Sequence, residues 1–402
     1  MDILLRDLNL EDIEWIKKKT QNATSQNKFI KSLISEARIK EKLQLVRNSE
    51  KKNSYMDSNT PFSFIDLFAG IGGFRSALTF LGGKCVFTNE WNKYAITTYK
   101  NWYGDEESTN DDDIRNFNHS LIPNHDILCA GFPCQPFSLA GVSKKNSLGR
   151  KHGFEDVDQG NLFDCIMSIV DVKRPPILFL ENVKNLKSHD KGNTWKHIHN
   201  EISSRGYEIF SKVIDASNWV PQHRERIFIV CFDKSIFCKD RKVNFQFPEF
   251  PTTREYSLSS FLEKNPDKKY MLSDKLWNYL QNYAEKHRRK GNGFGYGLVG
   301  NDGKTRTMSA RYYKDGAEIL IEQDGWKNPR RLTPNEAKYL MGFHDKYAKC
   351  FGHMNGFPQV VSDTQSYKQF GNSVVPIVVE KIMIQIIAEI NSYRQDLNFK
   401  AA

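Results

Sequence analysis

Three features are missing from this 402-residue sequence, and each absence excludes a class of protein. No two of the seven cysteines form a CxxC pair, so the sequence favours neither a zinc knuckle nor a disulfide scaffold. No uncharged apolar run reaches the roughly 18 residues that a membrane helix needs. The first 15 residues carry acids and no apolar stretch, unlike a secretory signal peptide. We therefore expect a cytoplasmic protein with free thiols, no bound metal and no membrane segment.

Positive charge is in excess. The chain has 58 Lys and Arg against 48 Asp and Glu, a formal net charge of +10. Residues 264–331 hold fifteen of the basic residues and eight of the acidic ones, so this window carries +7 of the total. Basic surfaces often bind polyanions, and nucleic acid is the first candidate. The charge favours a nucleic-acid partner, although basic proteins without one also exist.

Four stretches of the chain differ in pattern. Residues 1–60 predict an accessory helical arm that ends in a polar linker. In residues 61–245, short continuous apolar runs alternate with helical patterns, which predicts an α/β fold with a doubly wound, mostly parallel sheet. Residues 246–329 predict a smaller basic domain for target recognition. Residues 330–402 predict helices that return to the α/β domain.

A glycine-rich loop and an acid indicate a ligand site. FAGIGG (68–73) joins an apolar run to a helical pattern, and glycines at such a turn let a ligand approach the backbone closely. Its spacing is not GxGxxG, so a dinucleotide is not specifically indicated. Glu90 ends the next predicted strand, where an acid binds ribose hydroxyls in nucleoside-binding sheets. Together they favour a nucleoside-containing ligand over a tight turn without a ligand.

Three further loops carry reactive side chains. Cys134 lies between prolines in GFPCQPFS (131–138), either as a nucleophile on a stiff loop or as a buried thiol. Glu181 ends an apolar strand, either as an acid in a cleft or as a lid over the sheet edge. Arg224 and Arg226 alternate within QHRERIF, so both point to one face, where a surface salt bridge is the alternative to a site.

In their order, these motifs resemble the carbon-5 cytosine DNA methyltransferases over residues 62–390. The matching segments are DLFAGIGG (66–73), NEW (89–91), DI (113–114), GFPCQPFS (131–138), ENV (181–183), QHRERIF (222–228), RRLTPNEAKYLMGF (330–343) and QFGNSVV (369–375). Finer segments resemble the Dcm-type branch, which methylates the inner cytosine of CCWGG; they are 139–155, 182–192, 291–299 and 310–321. The sequence departs from the family pattern at Thr307-Met308, usually Thr-Leu, and at Asn335 and Lys338, where arginine is common.

The resemblance implies an enzyme that uses S-adenosylmethionine to methylate a flipped cytosine in double-stranded DNA. It assigns Cys134 as the nucleophile, Glu181 as the acid, and Arg226, with Arg224, as the ligand of the base's carbonyl oxygen. It assigns these residues to the S-adenosylmethionine pocket: Phe68, Gly70, Gly72, Glu90, Trp91, Asp113, Ile114, Pro133, Leu162, Asn372 and Ser373. The candidate DNA contacts are Ser138, Arg288, Arg289, Arg306, Thr307, Arg311 and Lys314.

Several alternatives stay open at this point. CCNGG is the second candidate site. A tRNA cytosine methyltransferase shares the motifs, but the large basic domain argues against it. A DNA-binding regulator without catalysis is disfavoured by the intact Cys134, Glu181 and Arg226, whereas an added regulatory role of the helical arm is compatible with the sequence. We expect a monomer in a prokaryotic cell, with a separately acting restriction endonuclease as an open partner.

Overall fold

The computed structural model describes residues 62–104, 108–133, 162–238, 241–253, 256–300 and 303–401, with side chains up to residue 396. The predicted arm at residues 1–60 lies outside these residues, so its helical nature stays a prediction. The boundaries of the four predicted stretches also stay a prediction.

A seven-stranded sheet forms the centre of the described part of the chain, in the order β3-β2-β1-β4-β5-β7-β6. The first five strands pair in parallel, whereas β7 pairs antiparallel with both β5 and β6. The predicted α/β fold with a mostly parallel sheet is thereby confirmed. The strands are β1 Ser63–Leu67, β2 Lys84–Asn89, β3 Thr109–Asn110, β4 Ile127–Gly131, β5 Ile177–Val183, β6 Tyr207–Asp215 and β7 Glu225–Asp233.

Helices flank this sheet and make up most of the C-terminal part. A short parallel pair, β8 Leu298–Val299 and β9 Leu320–Ile321, lies in the basic region. The α-helices in the described residues are α1 Gly73–Phe80, α2 Lys93–Tyr103, α3 Leu162–Lys173, α4 Asn193–Ser204, α5 Lys234–Phe237, α6 Asp274–Arg289, α7 Pro334–Leu340, α8 Asp345–Lys349, α9 Asp363–Asn372 and α10 Pro376–Ala401.

Successive apolar residues of the central strands enter different cores. In β1, Phe64 packs into one cluster and Ile65 into a second. In β5, Phe179 joins the first cluster and Leu180 joins the second. Neighbouring side chains of a strand point to opposite faces, so the continuous apolar runs cover both faces of the sheet. Burial on both faces leaves the ends of the strands as the place for polar chemistry.

The basic region shares the first of these cores. Its buried residues Leu258, Met308, Tyr312 and Ile319 belong to the cluster that also contains residues of β1, β4 and α10. A separate small cluster, centred on Leu272, Leu280 and Leu320, lies beneath α6. The basic region is therefore packed onto the sheet by apolar contacts, with a minor core of its own.

A buried ion pair fixes the start of the C-terminal helices. The guanidinium of Arg330 donates to both oxygens of Glu336 at 2.7 and 2.8 Å, and both side chains are fully buried. Glu336 also accepts from the backbone N–H groups of Glu263 and Thr333, and Thr333 caps α7. Each charge is thus hydrogen-bonded, which offsets the cost of burying it. None of the described helices combines the length and apolarity needed to cross a bilayer.

Candidate active site at the carboxyl edge of the sheet

Five parallel strands end side by side, and the residues that follow them line one edge. Their pairing sets Leu67 beside Asn89 and Ala130, and Gly131 beside Glu181. The strand order reverses between β1 and β4, because β2 lies on one side of β1 and β4 on the other. Ligands of open α/β sheets bind in the crevice at such a switch point. The ends of β1, β2, β4 and β5, where the predicted loops begin, therefore lie side by side.

The glycine loop after β1 has an unusual backbone conformation. Phe68, Gly70 and Gly72 have positive φ angles of 55°, 57° and 77°. A Cβ at Gly72 would lie 2.4 Å from the Tyr103 ring, whereas a Cβ at Gly70 would meet no atom within 4 Å. Gly72 is therefore required for packing, and Gly70 leaves open space above the loop. An open, glycine-lined backbone is suited to the close approach of a ligand.

Glu90 connects this loop to the end of β2. Its Oε2 accepts from the N–H of Gly70 at 2.8 Å, and its Oε1 accepts from the N–H groups of Trp91 and Asn92 at 2.9 and 2.8 Å. Burial raises the pKa of the Glu90 carboxyl, and these three backbone hydrogen bonds oppose the rise. Glu90 thus shapes the glycine loop as well as lying beside it.

Trp91 and the segment after β3 complete this side of the edge. The side chain of Trp91 is 67% exposed, which is unusual for so large an aromatic residue and leaves a ring face free for stacking. The carboxylate of Asp113 accepts hydrogen bonds from the backbone N–H and the side chain of Arg115. Ile114, between them, is buried in the second core. Asn89 ties this segment to β2 by donating to the carbonyl oxygen of Asp112 at 2.9 Å.

The strands β4 and β5 bring Pro133 and Glu181 to the same place. Asn182 is buried and donates to the carbonyl oxygen of Phe132 at 2.9 Å, which fixes the loop after β4 against the end of β5. A Cβ at Gly131 would lie 3.5 Å from Oε2 of Glu181. Cys134, which follows Pro133 directly, and Ser138, at the end of the same motif, lie outside the described residues. Their predicted roles are therefore carried by the sequence alone.

Glu181 forms an ion pair with Arg226. The antiparallel register sets Glu181 opposite Phe228 and Val183 opposite Arg226, so the two charged side chains are diagonal neighbours on one face. Oε1 of Glu181 lies 3.2 Å from Nε of Arg226, with 13% and 19% of the side chains exposed. Burial raises the pKa of the Glu181 carboxyl, and the positive charges of Arg226 and Arg224 only partly oppose the rise. This carboxyl is therefore suited to holding a proton.

Arg224 is placed differently from Arg226. It is 2% exposed, and its guanidinium donates to the carbonyl oxygens of Met308, Gly371 and Ser373 at 3.0, 3.0 and 2.6 Å. Burial lowers its pKa to about 9. Arg224 lies close enough to Arg226 and Glu181 for their charges to act on it. Its hydrogen bonds, however, go to backbone carbonyls and not to either of these side chains.

The remaining predicted cofactor residues lie at the periphery of this edge. Ser373 is buried and follows α9, while Asn372 is exposed at the end of that helix. A Cβ at Gly73 would lie 3.3 Å from Oγ of Ser373, so the segment after α9 contacts the first turn of α1. Leu162 begins α3 and packs, half-buried, against the second core, as Phe68 does.

The predicted DNA contacts occupy the exposed part of the basic region. Arg288 and Arg289, in the last turn of α6, both pair with Glu285. Arg306 donates to the carbonyl oxygen of Gly295 at 2.9 Å, and Thr307 donates to that of His223. Arg311 and Lys314 are exposed on the turn that follows. Thr307 thereby contacts the turn that precedes β7, the strand that carries Arg226.

Two residues under the glycine loop were not singled out from the sequence. Asp66 is 1% exposed, and burial raises the pKa of its carboxyl well above the ordinary value against the charge and backbone N–H of Arg75. The hydroxyl of Tyr103 lies 2.8 Å from the carbonyl oxygen of Ile71 and supports the loop from below. Asp66 begins the DLFAGIGG motif. It is an acid in an otherwise apolar strand, and this feature could have identified it from the sequence.

Comparison with known proteins relates this chain to one family. The family model described as C-5 cytosine-specific DNA methylase matches residues 62–388. The chain is 44% identical over 389 residues to the DNA-cytosine methyltransferase of Escherichia coli K12, covering 82% of this chain and 80% of that protein. It is also 44% identical over 335 residues to the type II methyltransferase M.NlaX of Neisseria lactamica, covering 82% and 98%.

Among solved structures, the methyltransferase EhMeth of Entamoeba histolytica has a similar fold. The TM-score is 0.62 with 20% sequence identity, and the match covers 82% of this chain and 98% of that one. No group of three or more His, Cys, Asp or Glu side chains within the described ranges is arranged to hold a metal ion.

The contacts of Glu90 lead to a prediction about ligand affinity. In Glu90→Ala the N–H of Gly70 in the glycine loop loses its bond to the Glu90 carboxylate, so we expect S-adenosylmethionine to bind more weakly by about 1–3 kcal/mol. The rate at saturating S-adenosylmethionine should change much less. Titration calorimetry measures the affinity, with Asp111→Ala as the control because that exposed acid pairs only distantly with Lys100, at 3.9 Å. Unchanged affinity in Glu90→Ala would mean that other residues hold the ribose.

Proposed function

The chain belongs to the C-5 cytosine-specific DNA methylase family and is a DNA cytosine-5 methyltransferase, and from this premise we propose that it methylates the inner cytosine of CCWGG in duplex DNA. The observation that carries the proposal is the largely buried Glu181–Arg226 pair beside Pro133, at the edge where the glycine loop lies. The 44% identity to a DNA-cytosine methyltransferase and the Dcm-type segments support the choice of site. CCNGG is the second candidate.

The reaction requires an activated carbon 5, because that ring atom of cytosine is a weak nucleophile. Addition of the Cys134 thiolate to carbon 6 makes carbon 5 enamine-like, and covalent addition divides one difficult step into easier ones. Glu181, with its raised pKa, donates a proton to ring nitrogen 3 and so drives the addition. Arg226 holds the carbonyl oxygen of the base and the Glu181 carboxylate together. After carbon 5 has taken up the methyl group, loss of its proton to a base breaks the bond between carbon 6 and sulfur and releases the Cys134 thiolate.

The cofactor residues fit S-adenosylmethionine, which supplies the methyl group when bound. The open space above Gly70 admits a ligand to the backbone, and the exposed ring of Trp91 offers a surface for the adenine. We assign the ribose hydroxyls and the base edge to the acids Glu90 and Asp113. We assign the same pocket its remaining walls from the family motifs: Phe68, Gly72, Ile114, Pro133, Leu162, Asn372 and Ser373.

A cytosine inside a duplex is out of reach of this edge, so the base has to leave the stack. The basic region then contacts the neighbouring pairs and the phosphates. Arg and Lys bind guanine edges and phosphate oxygens, and most contacts of this kind go to the backbone. We assign these contacts to Ser138, Arg288, Arg289, Arg306, Thr307, Arg311 and Lys314. A restriction endonuclease with the same site is a proposed partner, because M.NlaX is named a type II methyltransferase.

The acid role of Glu181 leads to a prediction about pH. Only the protonated carboxyl can donate, so the rate of methyl transfer should fall as the pH rises through the raised pKa of Glu181. In Glu181→Gln we expect the rate to drop by about 100-fold or more, with loss of that alkaline decline. The measurement is the single-turnover rate across pH. Glu225→Gln is the control, because Glu225 is an exposed acid paired with Lys184. If the rate of Glu181→Gln still fell at alkaline pH as it does in the wild type, the proton would come from another group.

Bisulfite sequencing of DNA from a host that expresses the protein tests the proposed site. We expect protected cytosines at the inner position of CCWGG, none with Cys134→Ala, and the wild-type pattern with Cys350→Ala, whose cysteine is exposed. If the inner cytosines of CCGGG and CCCGG were protected as well, the recognition site would be CCNGG and not CCWGG. Methylation of tRNA without methylation of duplex DNA would contradict the proposal.

A further inference from the structure

Arg224 joins two segments that serve different ligands in the proposed function. We call residues 305–308 the recognition segment and residues 371–373 the cofactor segment. The guanidinium of Arg224 donates through Nη1 to Met308 of the recognition segment and through Nη2 to Gly371 and Ser373 of the cofactor segment. A single buried side chain therefore fixes both.

The recognition segment is bound closely to the turn that precedes β7. The N–H of Thr305 donates to the carbonyl oxygen of Pro221 at 2.8 Å, and the N–H of His223 donates to that of Thr305 at 2.9 Å. Gln222 accepts from the N–H of Met308 at 2.9 Å. These bonds tie the recognition segment to residues 221–223, and Arg224 and Arg226 follow directly in the chain.

The cofactor segment also packs directly against the residues that follow the recognition segment. A Cβ at Gly371 would lie 2.3 Å from the backbone of Ser309 and Ala310, just after the recognition segment. On its far side, a Cβ at Gly73 would lie 3.3 Å from Oγ of Ser373 and 2.5 Å from a methyl group of the next residue, Val374, so the segment packs against α1 and the glycine loop. The glycine loop, the cofactor segment, Arg224 and the recognition segment form one continuous chain of contacts.

We propose that Arg224 is a positioning residue that couples the binding of DNA to the binding of S-adenosylmethionine, by holding the recognition and cofactor segments on one guanidinium. The inference rests on the proposed function. A ligand that orders one segment orders the other through the shared side chain, so the second ligand binds a partly organised site. The planar fork of arginine reaches all three carbonyl oxygens, whereas the single ammonium of a lysine does not.

The test is the ratio of affinities with and without the other ligand. Calorimetry gives the affinity of S-adenosylhomocysteine for the full-length protein, alone and with a saturating CCWGG duplex. We expect DNA to raise the affinity for S-adenosylhomocysteine by about fivefold or more. Because coupling is reciprocal, S-adenosylhomocysteine should raise the affinity for DNA by the same factor. In Arg224→Lys this factor should fall to within about twofold of one.

Arg174→Lys is the matched control. Arg174 lies at the opposite end of β7, where its guanidinium bonds Asp233 and the carbonyl oxygen of Arg205, and it should keep the wild-type factor. A wild-type factor near one would overturn the inference. So would an Arg224→Lys protein in which both affinities fall while the factor is unchanged, because Arg224 would then only brace the fold.

Hydrogen exchange of the wild type decides the matter if Arg224→Lys does not fold. We expect S-adenosylhomocysteine to slow exchange in residues 305–312, and DNA to slow exchange in residues 371–375. Protection limited to each ligand's own segment would contradict the coupling. A wild type that binds neither ligand would refute the proposed function itself, whereas binding without coupling would refute only the role of Arg224.

Discussion

The antiparallel register between β5 and β7 is the constraint on which the candidate site depends. It sets Val183 opposite Arg226, which makes Glu181 and Arg226 diagonal neighbours 3.2 Å apart. A slip of one residue would send Arg226 to the other face of the sheet, into the apolar core. The cores on both faces hold the register, since successive residues of β7 from Ile227 to Phe232 belong alternately to the two clusters. Packing energy thus fixes the geometry of two charged groups.

The same sheet separates two electrostatic environments along one edge. At β1 and β2, backbone N–H groups converge on Glu90 and hold a glycine loop with open space above it. At β4 and β5, a largely buried carboxyl with a raised pKa lies beside a guanidinium. In the proposed reaction the first environment binds a nucleoside and the second protonates a base. Their closeness follows from strand order alone, because β1 and β4 are neighbours.

The sequence predicted local structure and the order of the elements well, and long-range pairing less well. Continuous apolar runs predicted the buried strands, and the run at 226–232 is indeed extended, as β7 Glu225–Asp233. No local pattern indicated that β7 inserts between β5 and β6, because pairing partners are set by tertiary packing. The alternation of side chains along a strand predicted that Arg224 and Arg226 point to one face. It could not predict which carbonyl groups accept hydrogen bonds from Arg224. Those carbonyls come from segments 84 and 149 residues away.

The central claim is that the ends of β4 and β5 present a nucleophile and an acid to the same base. The most direct test is mass-spectrometric mapping of the complex formed with a CCWGG duplex that carries 5-fluorocytosine at the target, in the presence of S-adenosylmethionine. Fluorine at carbon 5 blocks the final elimination, so the account predicts a stable covalent complex bonded through Cys134. A bond through another residue, or no covalent complex from a protein that methylates the unmodified duplex, would contradict it.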